Sequence, residues 1–580
     1  MIKQKSYLHY LSLVGIIVLG AILRFTNLDL KPLWMDEIIT TIFSLGKNYK
    51  DLPLDTIFPL TKLIEIFTYQ PGLTCPQIAA NIASQSTHPP LFFCTMYDWL
   101  GWLQPLGENW VWKMRSLPSI FGVAAIFVIY WVNRIAFCPQ AGIAAAACMA
   151  VSPFAVYLSQ EARHYTLPML LISLAILGLI RIQQDIFLEN PSRKKRLWVW
   201  CYWIIVNSVS LYVHYFCILA VIAQVATLVS LLIWRKVYIQ DWKKTVLTLS
   251  LSTSAIALSF LPWFLVMLNH SKRSETDWLQ PPQHIAPVAQ TILNWLLMVI
   301  AFPVEKQPLP IAIISGFFMV LFGVWLARKV AKGLKTLLLN PESQLPTLTL
   351  LSFSIWVILE FFAIIYLLGK DITVVPRYNF IYYPSFCALL AASLGGSGGI
   401  ERNRALKRQS TSSIPTPYSL LPTPYSLLPT PLLIGTISCI FLLSNLVFQK
   451  PFQPELVAQH FNQEPLTPTL VVVGYSDYQD VALGFSFALA FERLQSLNQT
   501  REKTTLNLPV PEFAFLTNVL QNTSQLTPLA PHLNLWIVAP GLRKRDFPQQ
   551  VILKTQSICS RDDKQYYRVG IPYQLYRCGS

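Results

Sequence analysis

Apolar runs long enough to cross a bilayer recur along this chain, and short basic clusters punctuate them. A span needs about 20 mostly apolar residues, because the hydrocarbon core is roughly 30 Å thick and a helix rises about 1.5 Å per residue. Such runs fold as helices, since irregular backbone in lipid leaves N–H and C=O groups unpaired. Composition agrees: only 13% of the 580 residues are charged, against roughly 25% in a soluble domain. The net charge of +16 therefore reads as Lys and Arg held on short cytoplasmic loops, not as a nucleic-acid-binding surface. The many Trp, Tyr and Phe residues suit interfacial belts.

The charges count the spans. Leu8 to Leu23 lies behind Lys3 and Lys5, and Arg24-Phe25-Thr26-Asn27 follows it in place of a small-residue cleavage site; it is a retained span. Five basic clusters come next: Arg134; Arg193 to Arg196; Arg235, Lys236, Lys243 and Lys244; Arg328, Lys329, Lys332 and Lys335; and Arg402, Arg404, Lys407 and Arg408. If all are cytoplasmic, an even number of spans separates neighbours. The runs 8–24 and 116–133, 140–158 and 166–182, 198–213 and 216–234, 245–268 and 309–327, and 347–368 and 378–397 comply. The run 288–304 is short and carries Gln290, Asn294 and Pro303, so it reads as a non-crossing outer segment. A last span, 431–448, leaves the tail outside.

The expected architecture is a polytopic α-helical membrane protein of about eleven spans over residues 1–448, followed by a small extracytoplasmic α/β domain over 449–580. A first outer loop covers about 25–113, and a smaller outer stretch runs from His270 to His284. LVVVG (470–474) and LWIV (535–538) read as buried strands and 480–495 as a helix. Gly474 after a strand reads as a plain turn before it reads as a nucleotide loop. A cytoplasmic loop, 398–430, contains PTPYSLL repeats too rich in proline for helix or sheet. None of the ten cysteines has zinc-type spacing. Cys559 and Cys578 in the outer tail are candidates for a disulfide, with Cys75 and Cys94 a weaker pair.

Chemistry-bearing residues collect where spans meet the outer face. Asp36 and Glu37 open an apolar helix, which suits capping, and Trp34 and Phe43 beside them suit a helix lying in the lipid interface. His88 stands before two prolines in THPPLFF. Glu161, Arg163, His164 and Tyr165 share the junction SPFAVYLSQEARHYTLP, His214 sits at the turn VHYF, and Arg377 and Tyr378 lie in VVPRYNF. Ionisable groups at such depth are costly and tend to be functional or paired; a structural Glu161–Arg163 pair stays open, as does the role of Glu360 inside the run 347–368. A carboxylate that deprotonates an acceptor hydroxyl, with arginines that hold a departing phosphate, fits transfer from a lipid-linked donor.

The order R-F-x-x-L…K-P-L-W-x-D-E (24–37), HPP (88–90), SPF…SQEARHY (152–165), His214-Tyr215, Pro262-Trp263 and Arg377-Tyr378 resembles the GT-C fold glycosyltransferases over about residues 8–397. The nearest group looks like family 39, with the protein O-mannosyltransferases and the aminoarabinose transferases of lipid A. The resemblance implies an inverting glycosyltransferase that uses a polyprenyl-phosphate-linked sugar and a glycan, lipid or protein acceptor, protein being the less favoured. It implies Asp36 as base with Glu37 in support, Glu161 as a second acidic site, and His88, Arg163, Tyr165, His214, Arg377 and Tyr378 at the donor phosphate or substrate. No residue cluster in the sequence decides whether a divalent metal takes part, and no other cofactor is implied. The competing readings are a transporter or flippase of lipid-linked sugars and a non-catalytic envelope-assembly scaffold. No retention signal ends the chain, which favours a bacterial inner membrane with the site facing out.

Overall fold

A computed structural model describes residues 2–107, 109–187, 193–239, 241–271, 273, 279–395, 428–502, 509–528, 530 and 532–579. The proline-rich repeats and the last basic cluster lie outside these residues. The chain divides into two compact units, residues 1–28 with 115–449 and residues 29–114 with 450–580.

The first unit is helical. Among the described residues, seven helices are long and apolar enough to cross a membrane: Tyr7–Phe25, Trp110–Ala136, Thr166–Phe187, Cys217–Trp234, Trp242–His270, Leu309–Leu339 and Pro341–Leu368. The chain is a multi-pass membrane protein. Every one of the eleven expected spans is at least partly helical, but several are not straight spans. The run 140–158 is two helices, Pro139–Ala150 and Pro153–Ser159, bent by 60°. Pro153 explains the break, because it lacks an N–H and its ring would clash with the preceding turn. The run 378–397 opens as a 3-10 segment, Pro376–Ile381, and only Tyr383–Gly395 is a regular apolar helix. The run 288–304 is a twelve-residue helix, Ala286–Leu297, followed by irregular chain.

The broken helix explains a buried charge. Arg24 is fully buried. Its Nη1 donates to the carbonyl of Ala150 at 3.1 Å and its Nη2 to that of Met149 at 3.0 Å. These carbonyls end the first half of the bent pair and have no onward helical partner. Gly122 is required beside them, since a Cβ there would lie 2.1 Å from Ser159 Oγ. The side chain of Gln160 donates to the Thr26 carbonyl at 3.0 Å, and Ser119 Oγ donates to the Ser159 carbonyl at 2.8 Å. Ser159 and Gln160 therefore serve the scaffold, and the chain presents Glu161 onward.

The second unit joins the first outer loop to the tail, which the sequence reading keeps apart. Its sheet has seven strands, β1 (Ile57–Pro59), β2 (Thr469–Gly474), β3 (Glu512–Leu516), β4 (Leu533–Val538), β5 (Gln550–Ile552), β6 (Ile558–Val569) and β7 (Ile571–Gly579). Their order is β1-β3-β2-β4-β7-β6-β5. β2, β3 and β4 run parallel, and β2 and β4 are buried at every position, as expected for a sheet covered on both faces. β1, from the loop, pairs antiparallel with β3 through Ile57 and Ala514. Asp55 N–H donates to the Phe515 carbonyl at 2.9 Å, Tyr475 Oη donates to Asp55 Oδ2 at 3.1 Å, and Tyr49 stacks on Tyr478 with ring centroids 4.1 Å apart.

The helix Tyr478–Glu502 follows β2 through a plain turn. Asp477 Oδ1 accepts the N–H groups of Gln479 at 2.8 Å and Asp480 at 3.1 Å, so the chain's own carboxylate occupies the helix start that a nucleotide phosphate would need. Both anticipated disulfides form, Cys75–Cys94 and Cys559–Cys578. All four paired cysteines lie in this second unit, and the six free ones, Cys138, Cys148, Cys201, Cys217, Cys387 and Cys439, all lie in the first.

Candidate functional site

In the membrane unit, residues from three separate turns converge. The first is the junction between the helices Pro153–Ser159 and Thr166–Phe187, where Glu161, Arg163, His164 and Tyr165 are all buried. Arg163 N–H donates to the Glu161 carbonyl at 2.7 Å, a tight turn at the start of the junction. The second is the turn between Arg193–Leu211 and Cys217–Trp234, which carries His214. The third is the 3-10 segment Pro376–Ile381, whose Pro376 fixes the backbone so that Arg377, Tyr378 and Phe380 follow within one turn.

Tyr165 is the common wall. The Arg163 guanidinium carbon lies 5.6 Å from its ring centroid and that of Arg377 lies 5.8 Å from it. Both are within the range where a cation is drawn to an aromatic face. His164 and His214 face each other with ring centroids 4.7 Å apart. Phe380 closes on Tyr165 at 6.0 Å and on His214 at 5.0 Å, and Tyr378 stands 6.5 Å from His214. Five residues expected from sequence, Arg163, Tyr165, His214, Arg377 and Tyr378, are thus brought together, with Glu161 two residues from Arg163. Burial, reinforced by the Arg163 charge beside it, lowers the His214 pKa to about 3. His214 is therefore a neutral donor and acceptor, leaving the local positive charge to the arginines. Such a cluster suits an anion with several oxygens, for which the guanidinium fork is matched.

A second polar chain lies beyond the same turn. Trp263 Nε1–H donates to Tyr215 Oη at 3.0 Å, and Tyr215 Oη lies 2.8 Å from His270 Nδ1. The tyrosine oxygen thus links the indole to the imidazole, with the histidine tautomer setting which of Tyr215 and His270 donates. His270 was not singled out in the sequence; its one signal is a histidine at the outer end of an apolar run. Glu360 lies within the helix Pro341–Leu368, and neither carboxyl oxygen has a hydrogen-bond partner among the described residues.

In the loop–tail unit, Asp36 and Glu37 begin the helix Met35–Ser44. Glu37 is fully buried and Asp36 is 9% exposed. Glu37 Oε2 accepts the Trp34 backbone N–H at 3.5 Å, a long bond that ties the side chain to the helix start. Thr40 and Thr41 return their hydroxyls to the carbonyls of Asp36 at 2.9 Å and Glu37 at 2.7 Å. The expected interfacial helix is corrected here: eight of its ten residues are buried, packed against the helices Cys75–Gln85, Leu91–Trp102 and Tyr478–Glu502. A helix lying in lipid would leave one apolar face open. Lys31 and Lys450 are also buried in this unit, with Lys450 Nζ 4.9 Å above the Trp34 ring. His88 is half-buried in the turn before Leu91, its Nδ1 3.3 Å from Ser86 Oγ. Among the described residues, no three His, Cys, Asp or Glu side chains gather as a metal-holding group.

A helical membrane unit with polar turns at the ends of its spans, joined to a unit built from the first outer loop and a C-terminal sheet, defines the GT-C fold. The particular likeness is to ArnT from Cupriavidus metallidurans bound to undecaprenyl phosphate, with a TM-score of 0.52 over 97% of both chains at 13% identity. Apo ArnT from the same organism gives a TM-score of 0.47 at 12% identity, covering 84% of this chain and 87% of that one. The Archaeoglobus fulgidus oligosaccharyltransferase gives 0.46 at 14% identity, covering 84% and 64%. No family model matches the chain, and no curated protein matches it in sequence. At 13% identity the first of these likenesses establishes the fold.

Proposed function

We propose that this protein is a membrane glycosyltransferase that moves a monosaccharide from a polyprenyl-phosphate carrier to a hydroxyl of a glycan, lipid or protein acceptor on the extracytoplasmic side of a bacterial inner membrane. The observation that carries the reading is the pair of guanidinium groups set against the single buried ring of Tyr165. Two cations held close with a neutral histidine have a use when a phosphate leaves there, because its developing charge is stabilised without solvent reorganisation. The phosphate-bearing ligand named for the ArnT structure suits such a cluster.

In this reading Asp36 accepts the proton of the acceptor hydroxyl, whose oxygen attacks the anomeric carbon. The bond from that carbon to the phosphate oxygen breaks with inversion, and polyprenyl phosphate departs on Arg163 and Arg377. Glu37 supports Asp36 by tying down the helix start, Glu161 supplies a second carboxylate, and Tyr165, His214 and Tyr378 shape the phosphate site. His88 binds substrate. The partition of cysteines supports the outward placement of the loop–tail unit, since disulfides persist in oxidising compartments. The test is incubation of purified protein with radiolabelled polyprenyl-phosphate sugars and membrane extract. Label is expected to move to acceptor with the wild type and not with Asp36→Asn; transfer by no donor would overturn the reading.

A further inference from the structure

The end of the helix Leu91–Trp102 and the start of the helix Trp110–Ala136 carry four tryptophans, Trp99, Trp102, Trp110 and Trp112, that no role above uses. Trp102 is 80% exposed and Trp112 is 37% exposed, a heavy exposure for two large, mainly apolar indoles. Trp110 is instead stacked on Phe67 at 5.6 Å. The segment is held rigid: Trp99 Nε1 donates to the Lys113 carbonyl at 3.2 Å. Lys113 Nζ donates to the carbonyls of Leu103 at 3.1 Å and Pro105 at 2.5 Å. Both bonds tie the amine to the turn between the two helices. The helix that begins here continues without a break as a candidate span. Trp112 precedes the apolar run at Ser116 by four residues, about 6 Å along the axis, which is headgroup depth for that span.

We infer that this tryptophan hairpin docks on the bilayer interface, with Trp102 and Trp112 seated at the level of the lipid headgroups. Indole suits that level, since its ring is apolar and its N–H is polar. Continuity with the span makes the protein's own membrane the occupant, and the two neutral indole rings make the contact an aromatic one. This does not depend on the glycosyl-transfer reading.

The test uses full-length protein in phosphatidylcholine vesicles, comparing wild type with Trp102→Phe. The emission lost on substitution is the Trp102 component; it is expected to be blue-shifted, quenched by lipids brominated near the headgroup end of the chain, and shielded from aqueous iodide. Quenching of that component by iodide and not by brominated lipid would overturn the inference. Repeating the measurement with part of the lipid replaced by phosphatidylglycerol is expected to leave the brominated-lipid quenching unchanged; a loss of contact without the anionic lipid would equally overturn it. Trp112→Phe gives a second, independent reading of the same kind.

Discussion

Replacing Arg377 by Gln separates a ligand-binding cation from a structural one, because the two roles predict changes in different measurements. Arg163 and Arg377 lie 5.6 and 5.8 Å from one ring centroid, so their charges are at most about 11 Å apart and repel by at least about 1.5 kcal/mol at an effective dielectric near 20. Removing Arg377 relieves that repulsion and forfeits a cation–π contact of about 0.5–2 kcal/mol. These two effects offset each other, so a ligand-binding role for Arg377 predicts little change in the thermal midpoint of the lipid-free protein. A phosphate ligand, by contrast, loses a hydrogen bond to a charged group, about 1.5–3 kcal/mol. That is roughly a 10- to 150-fold rise in Kd. The assay is titration of undecaprenyl phosphate into detergent-solubilised wild type, Arg377→Gln and Arg377→Lys, with the melting curve of each recorded without lipid. Arg377→Lys keeps the charge and loses the fork, and should fall between the other two. A large drop in thermal midpoint together with unchanged lipid affinity would refute the reasoning, since it would make Arg377 a packing residue.

Other outcomes follow from the same geometry. Asp36→Asn should abolish sugar transfer while leaving undecaprenyl phosphate binding within a few-fold of wild type, checked by the paired assays. His214, with its pKa depressed from 6.5 to about 3, binds fewer protons folded than unfolded between those values. Its contribution to stability is present above 6.5 and is lost as pH falls toward 3. His214→Gln should flatten that acid-side loss in melting experiments run as a pH series. The Cys559–Cys578 bridge joins residues 19 apart, and loop closure of that size is worth up to about 3 kcal/mol. Cys559→Ser with Cys578→Ser should lower the thermal midpoint of the intact protein, measured by differential scanning. Alkylation of the non-reduced, denatured protein should label the six cysteines of the membrane unit and spare the four of the loop–tail unit; labelling of all ten would contradict the pairing.

What could be seen from sequence was whatever topology alone decides. Arg163, His214 and Arg377 stand far apart in the chain, but counting spans by their basic flanks puts all three turns on one side, and the structure brings them to Tyr165. The roles of Arg24 and Gln160 were hidden, because a motif does not show that its arginine caps a helix broken by Pro153 or that its glutamine holds a carbonyl of Thr26. The depth of the Asp36 helix was misjudged for a related reason. MDEIITTIFS has the look of a surface helix until the tail helix Tyr478–Glu502 is found packed on it. The strand β1 could not be seen at all: three residues carry no period, and their partner is β3 in the distant tail.

That pairing also dictates an order of manufacture. The loop–tail unit is composed of the earliest and latest parts of the chain, so residues 29–114 leave the ribosome without the sheet that will complete their fold. At about 5–20 residues per second, the roughly 400 residues up to β3 take some 20–80 s to make. Through that interval the Cys75–Cys94 bridge, which needs nothing from the tail, is the element able to hold the nascent loop compact. A ribosome stalled within the later spans would leave β3-facing Phe58 and the edge of β1 uncovered, a natural target for proteases and a built-in mark of an unfinished chain.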